Sequence, residues 1–271
     1  MVFDMNEELN GFYKNNVVIS SEERSKLGRY RDACLDRLKE GFEILGRRRR
    51  TRYRPFIRAV PQGSYPMYTL NQHRKNEYDI DVALIFRSDD LPATALQARR
   101  RVADALLATE GNFRRQPEAR TNAVTVWYAD GPHVDLAIYR EVEGWFSNTI
   151  EHAGPQWAKR DPEAVTKWFH SKVESRSPSG DCDVDDKQLR KVVRLVKAFA
   201  RSRVKWELPG GMILTALTVE QYQPDRRRDD LALLGTLERI HDRLKSNLDV
   251  SNPVNGESLT AKPKIKSQMK S

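Results

Sequence analysis

The chain has 271 residues, of which 47 are Lys or Arg and 38 are Asp or Glu, so its formal net charge is +9 at pH 7. This length allows one large domain or two lobes with a buried core, and the only two cysteines, Cys34 and Cys182, exclude a disulfide framework or a structural zinc site. The basic balance favours polyanionic partners, and without a bilayer-length apolar run or a secretory signal we expect a soluble, cytoplasmic protein.

The predicted elements begin with a long amphipathic helix over residues 20–46, where apolar residues recur at helical spacing after two serines and two acids. A dense run of arginines follows at 47–54. Residues 56–65 then predict a short strand that enters a Gly-Ser turn, and residues 78–86 predict a buried strand. A helix is expected over 92–109, with Pro92 in its first turn.

Two β-rich runs joined around Asp130-Gly131 predict a hairpin over residues 124–139. From residue 151 the pattern becomes largely helical, with a flexible loop at 175–186 and helices at 186–204, 209–222 and 229–248. In the first of these helices a basic ridge is expected, formed by Lys191, Arg194, Lys197 and Arg201. The last segment, 251–271, is polar and aperiodic, which predicts a frayed or truncated tail.

Two acids interrupt the predicted strand at 78–86. Asp79 and Asp81 lie two residues apart, so they point to the same side of the strand, about 7 Å from each other. Two buried carboxylates repel each other unless cations neutralise them, and oxygen ligands suit Mg²⁺ or Mn²⁺. A third acid, Asp135 in the hairpin, would let two ions lie together for in-line phosphoryl transfer.

An isolated Asp-x-Asp pair is usually a solvated turn, so the surrounding pattern matters. Gly63-Ser64 lies fifteen residues upstream, where a helix beginning at a Gly-rich turn would offer backbone N–H groups and a hydroxyl to phosphate. Chance rarely supplies the order Gly-Ser, strand with Asp-x-Asp, and later strand with one Asp together with matching structure, so this order favours a functional site.

These motifs resemble those of a known family. The segment GSYPMYTLNQHRKNEYDIDVALIF at 63–86 is similar to the signature of the cGAS/DncV-like nucleotidyltransferases, the bacterial CD-NTases that make cyclic oligonucleotide signals in antiphage (CBASS) defence. TLNQ at 69–72 is especially similar to DncV-type members. Further similar segments are HVDLAIY at 133–139, HAGPQWAKRDPEAVTKWF at 152–169, RLVKAFARS at 194–202 and LPGGMILTALTVEQY at 208–222. The resemblance covers about residues 20–250.

The resemblance implies roles for individual residues. Gly63 and Ser64 would hold the donor triphosphate, while Asp79 and Asp81 would bind both metal ions and Asp135 would complete the first metal site. Lys197 takes the place of a family lysine that contacts triphosphate, the alternative being an ordinary helix-surface lysine. Gly211 stands where relatives often have Ser or Tyr, so one side-chain contact to nucleotide is missing there or is supplied elsewhere.

Other candidates each have a structural alternative. Tyr65 could stack on a base or ribose, or pack in the core, and Gln62 could touch the donor or be ordinary surface. His73, Arg74 and Lys75 precede the catalytic strand, where they could reach an acceptor phosphate or be solvated. His133 could support the metal ligands or be a structural histidine.

The expected fold is α/β (α+β): a polymerase-β-like nucleotidyltransferase palm with a mixed sheet, an N-terminal spine helix and a C-terminal helical lobe. We expect a catalytic core at 1–150, a helical lobe that closes the nucleotide cleft at 151–250, and the tail at 251–271. The expected cofactor is Mg²⁺, as two ions for which Mn²⁺ can substitute.

The expected function is template-independent joining of NTPs, such as ATP and GTP, into a cyclic di- or trinucleotide for antiphage defence. A regulatory protein partner is compatible with this function, which requires neither nucleic acid nor a membrane. Two alternatives stay open: an RNA 3′-end or linear oligoadenylate-type transferase whose arginine run grips RNA, and a pseudoenzyme that senses nucleotide or nucleic acid.

Overall fold

The computed structural model of the chain describes residues 3–73, 77–111, 113–178, 186–202 and 208–269. The chain forms two compact units. We call Ser20–Pro66 with His73–Glu163 the sheet unit, and Met1–Ile19, Met67–Gln72 and Ala164–Ser271 the helical unit. The chain therefore leaves the sheet unit at residue 67 and returns to it at residue 73.

The sheet unit contains two α-helices and seven strands among its described residues. The helices are α2 (Ser21–Arg49) and α3 (Ala95–Leu107); the strands are β1 (Arg58–Gln62), β2 (Asp79–Arg87), β3 (Phe113–Ala119), β4 (Val124–Tyr128), β5 (His133–Val142), β6 (Thr149–Ala153) and β7 (Trp157–Lys159). They form one sheet in the order β1-β2-β5-β4-β3, with β6 paired to β5 and β7 paired to β6. Only the β2–β5 pair is parallel, so the sheet is mixed, as expected.

The helical unit contains six α-helices among its described residues. They are α1 (Asn6–Phe12), α4 (Ala164–Arg176), α5 (Gln188–Ser202), α6 (Gly211–Gln221), α7 (Asp229–Ser246) and α8 (Pro263–Gln268). No described helix in either unit combines the length and the apolar character needed to span a bilayer.

Helix α2 confirms the prediction of a long amphipathic helix. Its N-cap, Ser20, accepts a hydrogen bond from the Glu23 backbone N–H at 3.1 Å, and its C-cap, Arg50, has the left-handed φ of 49° that ends the helix. Its buried stripe includes Leu27, Leu38 and Phe42. The Phe42 ring meets the Phe86 ring of β2 edge-on, 5.9 Å between centroids, so this stripe packs on the sheet.

The two faces of the sheet differ. Ile80, Val82 and Leu84 of β2 are fully buried, and they alternate with Asp79 and Asp81, which lie on the opposite face and are less buried. The same alternation in β5 places Asp135 on that second face. All three acids therefore share one face of the sheet.

Some predicted boundaries differ from those of the structure. Strands β6 and β7 continue the sheet to residue 159, so the chain is not yet helical at residue 151, contrary to the prediction. The sheet unit ends at Glu163, and not at the predicted boundary of residue 150. Helix α3 starts at Ala95, directly after its N-cap Thr94. Pro92 therefore lies before the helix and not, as was predicted, in its first turn. No α-helix begins at Gly63, because residues 63–68 form turns.

The predicted basic ridge of α5 is wrong as a surface feature. Arg194 and Lys197 are only 5% and 7% exposed, and Lys191 is paired with Asp229 at 2.7 Å. Arg194 donates to the Tyr13 hydroxyl at 2.6 Å. The long apolar stems are buried, and protein oxygens replace water around the cations.

The segment expected to be a frayed tail is ordered over residues 251–269. Ser251 forms a β-bridge with Ser258, and α8 follows. Ile265 and Met269 pack against Leu217 of α6 and its neighbours, which supplies the apolar burial that this polar stretch was expected to lack.

Candidate active site

The parallel pairing of β2 with β5 brings the three aspartates together. In its register Asp81 lies directly opposite Asp135, and Asp79 lies opposite His133. Neighbouring strands are about 4.8 Å apart, so the side chains of Asp81 and Asp135 leave the same face of the sheet side by side. The predicted grouping of these acids agrees with the backbone register, and their catalytic role stays a prediction.

The Gly-Ser turn lies against the same acids. Strand β1 is antiparallel to β2 and pairs Gln62 with Asp81, so Gly63 follows immediately beside the Asp81 carboxylate. Gly63 has a φ of +67°, and a Cβ built on it would overlap the Asp81 carboxylate. Only glycine fits this position, both for its backbone conformation and for the space. Ser64 is half-buried in the turns that follow.

Asp79 and Asp135 each have a neighbour that holds the carboxylate. The Nε2 of His133 contacts Asp79 Oδ1 at 2.9 Å, and this hydrogen bond raises the imidazole pKa, supported by the charges of the three aspartates and opposed by burial. The Thr125 hydroxyl donates to Asp135 Oδ1 from the neighbouring strand β4. His133 thus supports a predicted ligand.

Thr125 was not among the predicted site residues. The β4–β5 register pairs Trp127 with His133 and Thr125 with Asp135, symmetrically about Asp130 in the turn. Counting outward from the predicted Asp130-Gly131 turn would therefore have found Thr125. The hairpin prediction itself is confirmed.

Gln62 lies next to the acids but is engaged with the protein. Its Nε2 donates to the Pro162 carbonyl at 2.7 Å and lies 3.4 Å from the Tyr139 hydroxyl. The amide nitrogen thus fixes the end of β1 to the segment after β7. A contact from Gln62 to a nucleotide stays a prediction, and in this conformation its amide oxygen would make it.

Tyr65 packs against α2. The Arg24 guanidinium lies 4.2 Å from its ring centroid and donates to the Tyr65 carbonyl at 2.7 Å. A Cβ on Gly28 would lie 3.1 Å from the Tyr65 hydroxyl, so the helix passes close to the ring. This packing favours the structural alternative over base stacking, and it anchors the Gly63 turn to the helix.

Lys197 and Gly211 lie together in the helical unit. The Lys197 ammonium donates to the Thr69 carbonyl at 2.9 Å and lies 3.3 Å from its hydroxyl, in the TLNQ segment. Gly211 is the first residue of α6, and a Cβ on it would lie 3.2 Å from Lys197 Cε. The absence of a side chain at 211 thus leaves room for the lysine stem. Arg74 and Lys75, like Cys182, lie outside the described residues.

The donor set at the three aspartates fits a hard divalent cation. It consists of carboxylate oxygens, and Gly63 leaves open the space beside Asp81 that a Cβ would fill. Across the described ranges no three Asp, Glu, His or Cys side chains are already gathered as a metal cage. Asp79 and Asp135 are each hydrogen-bonded through Oδ1, to His133 Nε2 and to the Thr125 hydroxyl, respectively.

Comparisons with known proteins find a family model and a curated relative that are similar to this chain. Residues 57–139, which run from the start of β1 to the middle of β5, match the family model described as "Cyclic GMP-AMP synthase DncV-like, nucleotidyltransferase domain". A curated "Cyclic GMP-AMP synthase" of Escherichia albertii is 24% identical over 217 residues, covering 76% of this chain and 46% of the relative. The chain thus spans about half the length of that relative.

Solved structures show the same fold. The Vibrio cholerae DncV cyclic AMP-GMP synthase in complex with a linear intermediate has a TM-score of 0.74 at 17% identity, covering 99% of this chain and 89% of that chain. Escherichia coli DncV in its 3′-deoxy GTP bound form has a TM-score of 0.70 at 16% identity, with the same coverage. The expected polymerase-β-like fold is confirmed. Residues 57–139 thus resemble the DncV-like nucleotidyltransferase domain.

Proposed function

We propose that this chain is a template-independent nucleotidyltransferase that joins NTPs into a cyclic di- or trinucleotide. The observation that carries the proposal is the β2–β5 register, which sets Asp81 opposite Asp135 on the face where Gly63 abuts Asp81. The relatives support the cyclic product, since they are named cyclic GMP-AMP and cyclic AMP-GMP synthases. One solved relative is described in complex with ATP and GTP, which supports NTPs as substrates.

The aspartates would hold two Mg²⁺ ions, or Mn²⁺ in their place: Asp79 and Asp81 would contact both, and Asp135 would contact one. When bound, such ions lower the pKa of a ribose hydroxyl and neutralise charge that develops on pyrophosphate. His133 and Thr125 orient two of the three carboxylates, which limits the rotation that the ligands must lose on binding.

The Gly63-Ser64 turn would hold the donor triphosphate through backbone N–H groups and the Ser64 hydroxyl. The acceptor hydroxyl then loses its proton to solvent, its oxygen bonds to the donor α-phosphorus, the bond from that phosphorus to the pyrophosphate breaks, and pyrophosphate leaves. A second round within the linear product closes the ring. We place this activity in the cytoplasm, as the source of a defence signal against phage under the control of a regulatory partner.

The second candidate is addition of nucleotides to an RNA 3′ end, or linear oligoadenylate synthesis. It is favoured by the arginines at the C-terminal end of α2, because Arg47, Arg48, Arg50 and Arg52 are all exposed. A product that resists phosphatase supports the ring, whereas incorporation of label into added RNA supports the second candidate.

The decisive variant combines Asp79→Ala with Asp81→Ala. Incubated with labelled NTPs and Mg²⁺ or Mn²⁺, it is expected to release no pyrophosphate, while the wild type yields a product resistant to phosphatase and sensitive to nuclease P1. The matched control combines Asp32→Ala with Asp36→Ala, which removes the same charge from the exposed side of α2 in the same unit. Undiminished turnover in the first variant contradicts the proposal.

A further inference from the structure

An open apolar groove of about 400 Å³ lies on the helical unit between α1 and α7. Its apolar lining consists of Met5, Leu9, Phe12, Leu233, Leu234 and Leu237. Leu9 and Phe12 of α1 lie four and seven positions after the N-cap Met5. On α7, Leu234 and Leu237 lie one and four positions after Leu233. Each helix thus turns one stripe of apolar side chains toward the groove.

The groove has a fixed floor and an exposed rim. Leu9 and Leu233 pack against the buried cluster of Tyr13, Val17 and Leu195, so the floor is continuous with the core of the unit. The rim residues, by contrast, are open: Phe12 is 50% exposed and Leu234 is 41% exposed.

Exposed apolar side chains are concentrated at this place. Among the described residues eleven large hydrophobic side chains are exposed, and Phe3, Met5, Phe12 and Leu234 all belong to this neighbourhood. The Phe3 carbonyl accepts from Arg228 at 2.9 Å, which holds it beside the start of α7. Contiguous exposed apolar surface with polar edges marks interaction sites more often than ordinary surface.

The edges of the groove carry negative charge in a chain of net charge +9. Glu8 and Asp230 line the groove, and Glu238 lies one turn beyond Leu234 on the same side of α7. Asp230 is paired with Arg228, and no ion pair of Glu8 or Glu238 occurs within the part of the chain that the structure describes. An occupant with positive flanks would complement these acids.

We propose that this groove binds an amphipathic helix of a partner protein, with Leu or Phe anchors along one face and Lys or Arg on its flanks. An apolar stripe of about two turns at α1 and one of about one turn on α7, with acids beside them, are the complement of such a helix. The chain's own cationic helix α8 is not the occupant, because its Ile265 and Met269 are packed in another cluster. The proposal does not depend on the proposed function.

The test uses the full chain and a fluorescein-labelled synthetic peptide of about four helical turns, with Leu at positions i, i+3, i+4 and i+7 and Lys on both flanks. Fluorescence anisotropy is expected to show saturable binding that Leu234→Glu or Phe12→Ser weakens at least about tenfold, as for an anchor site in an interface. Leu107→Glu is the matched control, since Leu107 of α3 is 43% exposed against 41% for Leu234. It should bind as the wild type does.

A second experiment tests whether the acids at the edges of the groove attract a positively charged peptide. A peptide with Glu in place of every Lys should bind the wild type more weakly and regain affinity for a Glu8→Lys, Glu238→Lys variant. Circular dichroism confirms that each variant is folded, and NTP turnover should stay unchanged in all of them.

Four outcomes overturn the proposal. They are no saturable binding; equal binding by a scrambled peptide whose leucines share no face; an equal loss with Leu107→Glu; and a Leu234-dependent self-association or vesicle binding in place of peptide binding. The last outcome would assign the groove to a second copy or to a lipid surface.

Discussion

Gly63 is the residue on which the geometry of the site depends most directly. Its φ of +67° turns the chain out of β1, and its missing side chain leaves room for the Asp81 carboxylate. A side chain here would add two separate penalties: the strain of a left-handed backbone and displacement of a predicted metal ligand. Gly256 also has a positive φ but no such neighbour, so substitutions at Gly63 and Gly256 separate the two penalties.

Gly63→Ala is expected to abolish most of the pyrophosphate release and to lower the free energy of unfolding by about 1–2 kcal/mol from backbone strain alone. Gly256→Ala should lower the free energy of unfolding by a similar amount and leave turnover intact. Gly256 has a φ of +73°, and nothing lies within 4 Å of its Cβ position. Chemical denaturation and a pyrophosphate assay measure the two effects. Equal activity losses in both variants would show that strain, and not the Asp81 contact, is responsible.

The residues of the site were predictable to different extents. Asp79 and Asp81 share a face by strand alternation alone, whereas the pairing of Asp81 with Asp135 requires a parallel partner strand that no local pattern specifies. The two residues that hydrogen-bond to the aspartates, His133 and Thr125, also differ in how far the sequence predicts them. His133 was considered because it precedes Asp135 by two, while Thr125 was missed because it lies on the other strand of the hairpin.

At the scale of elements, α2 and α3 cross at a glycine. A Cβ on Gly41 of α2 would overlap the backbone of Ala105 in α3, so the two helices approach as closely as their main chains allow. Arg49 of α2 reaches Asp104 of α3 at 3.1 Å near the same crossing. The close approach holds α3 beside the helix that packs on the sheet.

Gly41→Ala is expected to lower the free energy of unfolding by about 1–3 kcal/mol, because the added methyl group must push two helix backbones apart. Gly11→Ala is the control, since Gly11 also lies inside a helix but has nothing within 4 Å of its Cβ position. By helix propensity alone it should stabilise the chain by up to about 1 kcal/mol. Thermal or urea unfolding gives both values, and stabilisation by Gly41→Ala would refute the close crossing.

Elements with strong local signals were predicted well. Helix α2 has a capping serine and a regular apolar stripe, β2 is an almost continuous apolar run, and Asp130-Gly131 marks the β4–β5 turn. The basic ridge of α5 failed because periodicity shows which residues share a face but not what covers that face. There, carbonyl and hydroxyl oxygens such as those of Thr69 surround cations that would otherwise need water.

At the scale of the whole molecule, the chain path could not be predicted from its sequence. Residues 67–72 lie between the Gly63 turn and strand β2, yet they belong to the helical unit. Helix α5 holds this segment, because Arg190 donates to the Met67 carbonyl at 3.2 Å and Asn71 donates to the Arg194 carbonyl at 2.8 Å. These contacts join residues more than 100 positions apart, and local patterns carry no information about them.

This assignment predicts how protection from hydrogen exchange is divided along the chain. The Gln72 backbone N–H donates to the Val17 carbonyl at 2.9 Å, and Val18 forms a β-bridge with Asn71. Destabilising the helical unit should therefore speed hydrogen exchange in residues 67–72 and leave exchange in β2 unchanged. This is expected although β2 is nearer in sequence to residues 67–72 than α5 is. The suitable change is Val193→Ala, a fully buried α5 residue whose truncation costs about 2 kcal/mol.

Hydrogen exchange followed by mass spectrometry should then show faster exchange of 67–72 in Val193→Ala and unchanged exchange of 79–87, since compact units open separately. Val126→Ala, which truncates a fully buried residue of β4, should give the reverse pattern. If residues 67–72 instead lose protection with Val126→Ala and keep it with Val193→Ala, the segment belongs to the sheet unit. In that case α5 would not hold the chain between the Gly63 turn and strand β2.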